Sequence, residues 1–198
     1  MNRLIAVLAI FLAITTAACG QAMKQPNIKL NPQPKMRYEL TLSVHDAPGP
    51  FESVSGFMQY EVQNEQECVP ADAISGHHQR LSVDPDIEFK RVGDTQIYKG
   101  TVYLDLVQDS DYYGLGVCRW KMVGFSAVMK AGEVTFNPYI SVEQIAKMQS
   151  KTEFFAKKAY GDRSIPNQHI GGSPKDDAVN RYRGEFFSTI LAAKEDFE

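Results

Sequence analysis

Apolar and polar residues alternate one for one through most of this chain, the repeat of a strand with one buried face and one face in water. In RYELTLSVHD, Tyr38, Leu40, Leu42 and Val44 fall on one side, while Arg37, Glu39, Thr41 and Ser43 fall on the other. SVSGFMQYEVQN repeats the pattern with Val54, Met58, Tyr60 and Val62 directed inward. Between the two, DAPGPFE supplies Pro48, Gly49 and Pro50, which is turn chemistry. DIEFKRV and TQIYKGTVYLDLVQ read as a further pair, and the short connection Val92-Gly93-Asp94-Thr95 predicts a hairpin.

The longest expected strand, GVCRWKMVGFSAVMK, changes phase part-way. Cys118, Trp120 and Met122 share one face, and then Val123, Phe125, Ala127 and Met129 lie on what had been the polar side. Either a bulge near Gly124 or coverage of both faces produces that change. A short strand follows around Val134 to Phe136, and then SVEQIAKMQ predicts a helix opened by a capping box of Ser141 and Gln144. TEFFAKKAY and EFFSTILAAK return to strand composition; the second also fits a helix through Tyr182, Phe186, Ile190 and Ala193, and strand is the preferred reading. The polar stretch from Tyr160 to Gly184 reads as a long loop. About eight strands, regular turns and one short helix predict an all-β fold, an antiparallel β-sandwich, over residues 36–198.

The first residues follow a different rule. Met1-Asn2-Arg3 is basic, Leu4 to Ile14 is unbroken hydrocarbon too short for a stable membrane span, and Thr16-Ala17-Ala18 leads into Cys19. This stretch resembles the signal of bacterial lipoproteins, whose lipobox sets an aliphatic and two small residues before a cysteine that receives a diacylglycerol. Thr16 stands where that family usually has Leu. The resemblance implies a signal peptide over 1–18, lipid on Cys19 and membrane attachment through that lipid. Ordinary secretion, with cleavage after Ala18 and a free thiol, is the competing reading. Residues 19–35, rich in Gln, Asn, Lys and Pro, cannot bury a core and read as a flexible tether. Gly20 differs from the Asp that retains such lipoproteins in the inner membrane, which implies the periplasmic face of the outer membrane.

Charge removes several function classes. The chain carries 21 Lys+Arg against 24 Asp+Glu, a net −3, and loss of Arg3 with the leader makes it −4. So mildly acidic a surface exerts no general pull on nucleic acid. Beyond Cys19 there are only two cysteines, Cys68 and Cys118, without CxxC or metal spacing. In an oxidising compartment they read as a disulfide, with two buried free thiols as the alternative.

Catalytic chemistry is absent from the pattern. There is no GxSxG and no SxxK, and His45, His77, His78 and His169 lack metal-ligand spacing, so no enzyme, cofactor or metal is expected. Asp109 and Asp111 fail an EF-hand, since the third ligand position is Tyr113 and the twelfth Trp120. The stretch QDSDYYGLGVC is nevertheless the most unusual in the chain. Tyr supplies large contact area at little rotamer entropy, which makes Asp109, Asp111, Tyr112 and Tyr113 candidates for binding a protein partner. Two tyrosines packed over the disulfide as a structural cap are the other reading.

With Ala47 to Phe51 (APGPF), Gln59 to Val62 (QYEV), Cys68 to Pro70 (CVP) and Asp111 to Cys118 (DYYGLGVC), the chain resembles a group of small proteobacterial lipoproteins. That resemblance implies immunity to secreted antibacterial effectors through protein binding, with a structural or assembly lipoprotein of the envelope as the alternative. The chemistry at Cys19 is directly measurable. Protein purified from membranes should carry the mass of a diacylglycerol and an N-acyl chain on Cys19, and Cys19→Ser should leave it soluble or uncleaved; a free Cys19 thiol on soluble wild type refutes the lipobox reading.

Overall fold

The computed structural model describes residues 26–160 and 172–197. They form two antiparallel sheets packed face to face, the expected all-β sandwich. Sheet I has the order β10 (Lys151–Ala156), β11 (Phe186–Glu195), β1 (Arg37–His45), β6 (Ile97–Tyr103), β5 (Lys90–Arg91). Sheet II is built on β2 (Ser53–Val62) and β7 (Trp120–Ala131); β3 (Ser82–Val83) and β4 (Asp86–Glu88) pair with β2, while β8 (Val134–Phe136) and β9 (Tyr139–Ser141) pair with β7.

Strand alternation translates directly into burial. Tyr38, Leu40, Leu42 and Val44 of β1 are buried against sheet II, and their neighbours face outward. In β11 the strand reading of EFFSTILAAK is the observed one, with Phe187, Thr189, Leu191 and Ala193 buried in strict alternation. The phase change in the longest strand is a bulge. Gln59 pairs with Gly124 and Tyr60 with Met122, so Val123 is the extra residue, and beyond it Phe125, Ala127, Met129 and Ala131 turn inward. Gly124 is required there, because a Cβ would run into the Tyr139 ring, whose hydroxyl donates to the Val123 carbonyl at 3.2 Å.

Three details depart from the sequence reading. DIEFKRV is two strands, not one: β4 belongs to sheet II and β5 to sheet I, and the chain crosses between them at Phe89, whose ring packs 5.6 Å from that of Phe125. Among the described residues three short α-helices occur, α1 (Glu65–Cys68), α2 (Val142–Ala146) and α3 (Asp177–Arg181), where one was expected. Of these, α2 has the anticipated capping box, Gln144 N donating to Ser141 Oγ and Ser141 N to Gln144 Oε1. Finally, the part of the tether segment that is described, from Pro26, lies against the body. Asn31 N donates to the Leu106 carbonyl at 2.7 Å, and the Asp105 carboxylate accepts Lys35 N at 2.9 Å and Met36 N at 3.0 Å. Residues 26–35 thus form a strap antiparallel to the chain after β6.

The two ends of the sandwich are held differently. At one, the rings of Phe51, Phe136, Phe155, Phe187 and Tyr160 interlock with centroids 5.0 to 6.3 Å apart, and the Tyr160 hydroxyl donates to the Pro50 carbonyl of the APGPF turn. At the other lies the disulfide. Between them, the Tyr60 hydroxyl of sheet II donates to the Tyr103 carbonyl of sheet I, and buried Glu153 of β10 accepts Tyr139 N of β9 at 2.8 Å and Lys151 Nζ at 3.1 Å. Phe187 is fully buried and contacts three of the other rings. Phe187→Ala should therefore cost about 3–5 kcal/mol in urea unfolding; a loss near that of a surface substitution would show that the cluster is not packed as described.

Candidate binding surface at the disulfide end

Cys68 closes α1 and is bonded to Cys118, two residues before β7, with Cα atoms 5.2 Å apart. Both cysteines are fully buried and form a small second core with Val62, Val69 and Leu81. Ile28, Tyr112, Tyr113 and Trp120 pack over it. Beside the bond, the Asn64 side chain substitutes for a strand partner: its Oδ1 accepts Arg119 N at 2.8 Å and its Nδ2 donates to the Val117 carbonyl at 3.0 Å. The segment before β7 is thereby fixed to α1 by covalent and hydrogen bonds together.

Two loops rise from this base, each wound around an aspartate. In the first, Asp72 Oδ1 accepts Ser75 N at 2.7 Å, Ser75 Oγ at 2.9 Å and Ile74 N at 3.1 Å, and these bonds hold its carboxyl below the usual carboxylate range. The same loop closes where the His78 ring nitrogen meets the Val69 carbonyl at 2.6 Å. In the second, Asp111 Oδ1 accepts Gly114 N at 2.7 Å, Leu115 N at 3.1 Å and Tyr113 N at 3.3 Å. Desolvation opposes ionisation of Asp111, and the surrounding backbone N–H groups outweigh it, so this carboxyl too sits low. Gly114 and Gly116 take positive φ of 76° and 144°, a conformation that glycine adopts without strain.

The candidates from the sequence are thus gathered in one place, but turned to internal contacts. Asp109 Oδ1 accepts Trp120 N at 2.8 Å. The Tyr112 hydroxyl donates to the Gln108 carbonyl at 2.6 Å and accepts Lys29 N at 3.3 Å, and its ring meets Trp120 edge-on at 6.2 Å. Tyr113 leans on the disulfide core, and the desolvation this brings raises its pKa. These four side chains build the loop. Asp109 and Asp111 stay exposed and Tyr112 and Tyr113 half-buried, and beside them the loop presents apolar side chains: Leu115 is 56% and Val117 53% exposed, and Ile74, on the Asp72 loop, is 91% exposed. They were not singled out in the sequence, although each loop carries a usable signal, an aspartate followed within a few residues by an apolar residue and glycine.

Among the described residues, no group of three His, Cys, Asp or Glu side chains is placed to hold a metal ion, and no helix is long and apolar enough to cross a membrane. Cys19 and His169 lie outside the described residues. No known protein family, curated protein or solved structure matches this chain.

The lowered Asp111 pKa fixes a pH dependence. A carboxyl depressed in the folded state contributes above the unfolded value and loses that contribution as pH falls through the folded one. Amide protection of Gly114 and Leu115 should be constant near neutrality and drop below about pH 4, and Asp111→Asn should lower it near neutrality and abolish the drop. Protection unaffected by both would mean that the carboxylate does not order the loop.

Proposed function

We propose that this chain is a lipid-anchored lipoprotein on the periplasmic face of the outer membrane that binds a protein partner stoichiometrically, as an immunity-type inhibitor of a toxic secreted effector. The observation that supports the reading is the presentation of Ile74, Leu115 and Val117 on two loops already fixed by a disulfide and two aspartate-centred turns. Apolar side chains held rigidly in water lose little conformational entropy on being covered, and that is where binding energy concentrates. The loop of DYYGLGVC then contributes through Leu115 and Val117, with Tyr112 and Tyr113 as its support.

The strap adds a positional argument. The chain joins the body at the disulfide end, where Lys29 meets Tyr112, so with lipid on Cys19 the residues up to Pro26 span at most roughly 25 Å. The partner is then met close to the bilayer, as suits an inhibitor guarding the envelope.

Deleting the gene should make cells sensitive to neighbouring effector-armed cells. Wild type should restore protection, and Leu115→Asp with Val117→Asp should fail to, at unchanged abundance and melting temperature, because truncating a hot spot costs about 2 kcal/mol or more of binding. Undiminished resistance on deletion refutes the immunity reading; raised detergent sensitivity in the same cells would instead support a structural or assembly role in the envelope.

A further inference from the structure

The outer face of sheet I is polar along β1, where Arg37, Glu39, Thr41 and Ser43 alternate with the core residues. At the corner farthest from the disulfide that pattern breaks. The positions alternating with buried Glu153, Phe155 and Phe187 are Phe154, Ala156 and Phe186, all partly exposed. Ala156 and Phe186 are register partners, and with Lys157, Lys158, Tyr182 and Glu185 they line a groove of about 510 Å³. Tyr182 is 52% exposed. The groove is braced on two sides: Lys157 Nζ donates to the Gly184 carbonyl at 3.1 Å, and the Arg183 guanidinium lies over the Phe154 ring, 5.4 Å from its centroid.

The charge around it runs against that of the chain. The described segments that build this corner, 156–160 and 172–186, carry Lys157, Lys158, Lys175, Arg181 and Arg183 against Asp176, Asp177 and Glu185, in a protein whose net charge is −3. Among the described residues none of the five cations forms an ion pair. Asp176, by contrast, is engaged, its Oδ2 accepting Ser173 N at 2.6 Å. Lys157 and Arg183 are partly engaged by the Gly184 carbonyl and the Phe154 ring, whereas Lys158 and Arg181, beside exposed aromatic carbon, keep their attraction for an anion, and the rings supply area to bury.

We infer that this groove docks an acidic segment of a protein partner, with an aromatic or aliphatic side chain of that segment seated between Tyr182 and Phe186 and its carboxylates facing Lys158 and Arg181. The groove is concave, and it lies at the end of the sandwich opposite the point where the strap joins the body. Placed at the other end of the strands from the disulfide loops, it is a second surface, which stands whether or not Leu115 and Val117 bind an effector.

The test uses the full chain and two short fluorescent peptides, one alternating Glu with Phe and one alternating Lys with Phe, read by anisotropy. The Glu peptide should bind saturably and lose affinity as salt rises from about 50 to 300 mM. Lys158→Glu and Tyr182→Ala should each weaken it about tenfold or more, both residues being exposed and the fold retained, while Arg80→Glu at the disulfide end should leave it unchanged. Equal binding of the Lys peptide, no binding of the Glu peptide, or indifference to both groove variants overturns the inference. Anionic phosphatidylglycerol vesicles form a further arm: Lys158-dependent vesicle binding without peptide binding assigns the corner to lipid and overturns it as well.

Discussion

The Cys68–Cys118 bond is the constraint on which the candidate surface of this protein rests. Neither α1, four residues long, nor the coil before β7 has enough secondary structure to hold its place. Joined across a separation of 50 residues, they become the floor on which Asn64, Tyr112, Tyr113 and Trp120 are laid. Loop closure of that length contributes about 4 kcal/mol in unfolded-state entropy, a large share of the net stability of a domain this size. The exposed Arg119–Glu67 pair beside it adds little, because both charges are already well solvated.

The opposite end is built on another principle. Five interlocking rings fill the space between the sheets, and the Pro50 carbonyl and Tyr160 hydroxyl seal them from the solvent side. Aromatic packing is cohesive without being directional at any single bond, and this end correspondingly carries the longer connection, from β10 to β11. A covalent end with short wound loops and an aromatic end with a long excursion give one scaffold two surfaces of different character, the first apolar and rigid, the second cationic.

What could be read in advance tracks how local the cause is. β1 and β11 were legible because a period of two is a property of the strand itself, and the bulge at Val123 was legible because it shifts that period. The capping box of Ser141 and Gln144 is likewise written within four residues. The division of DIEFKRV between sheets escaped, since alternation at Asp86, Ile87 and Glu88 is the same whichever sheet receives the strand. The strap escaped because its hold comes from the Asp105 carboxylate and the chain after β6, some seventy residues away, and not from its own composition. At the candidate surface the gathering of Asp109, Asp111, Tyr112 and Tyr113 in one loop was legible, and the choice between the two readings of the tyrosines was not. Tyr112 and Tyr113 announced the loop, but whether a tyrosine faces the core or the solvent depends on the disulfide cluster beneath it, which no run of neighbouring residues encodes.

The strap also sets how the protein responds to force. Among the described residues, tension along the chain meets Lys29 on Tyr112, then Asn31 on Leu106, then Lys35 and Met36 on Asp105, weak links in series that can give way one after another and absorb a jerk. Only then does the pull reach β1, which lies between β11 and β6 and is drawn along its own axis. There it is held by two antiparallel ladders at once, with β11 on one side and β6 on the other. The strap is therefore yielding over residues 29–36 and the sheet stiff beyond it, a shock absorber in front of a locked central strand.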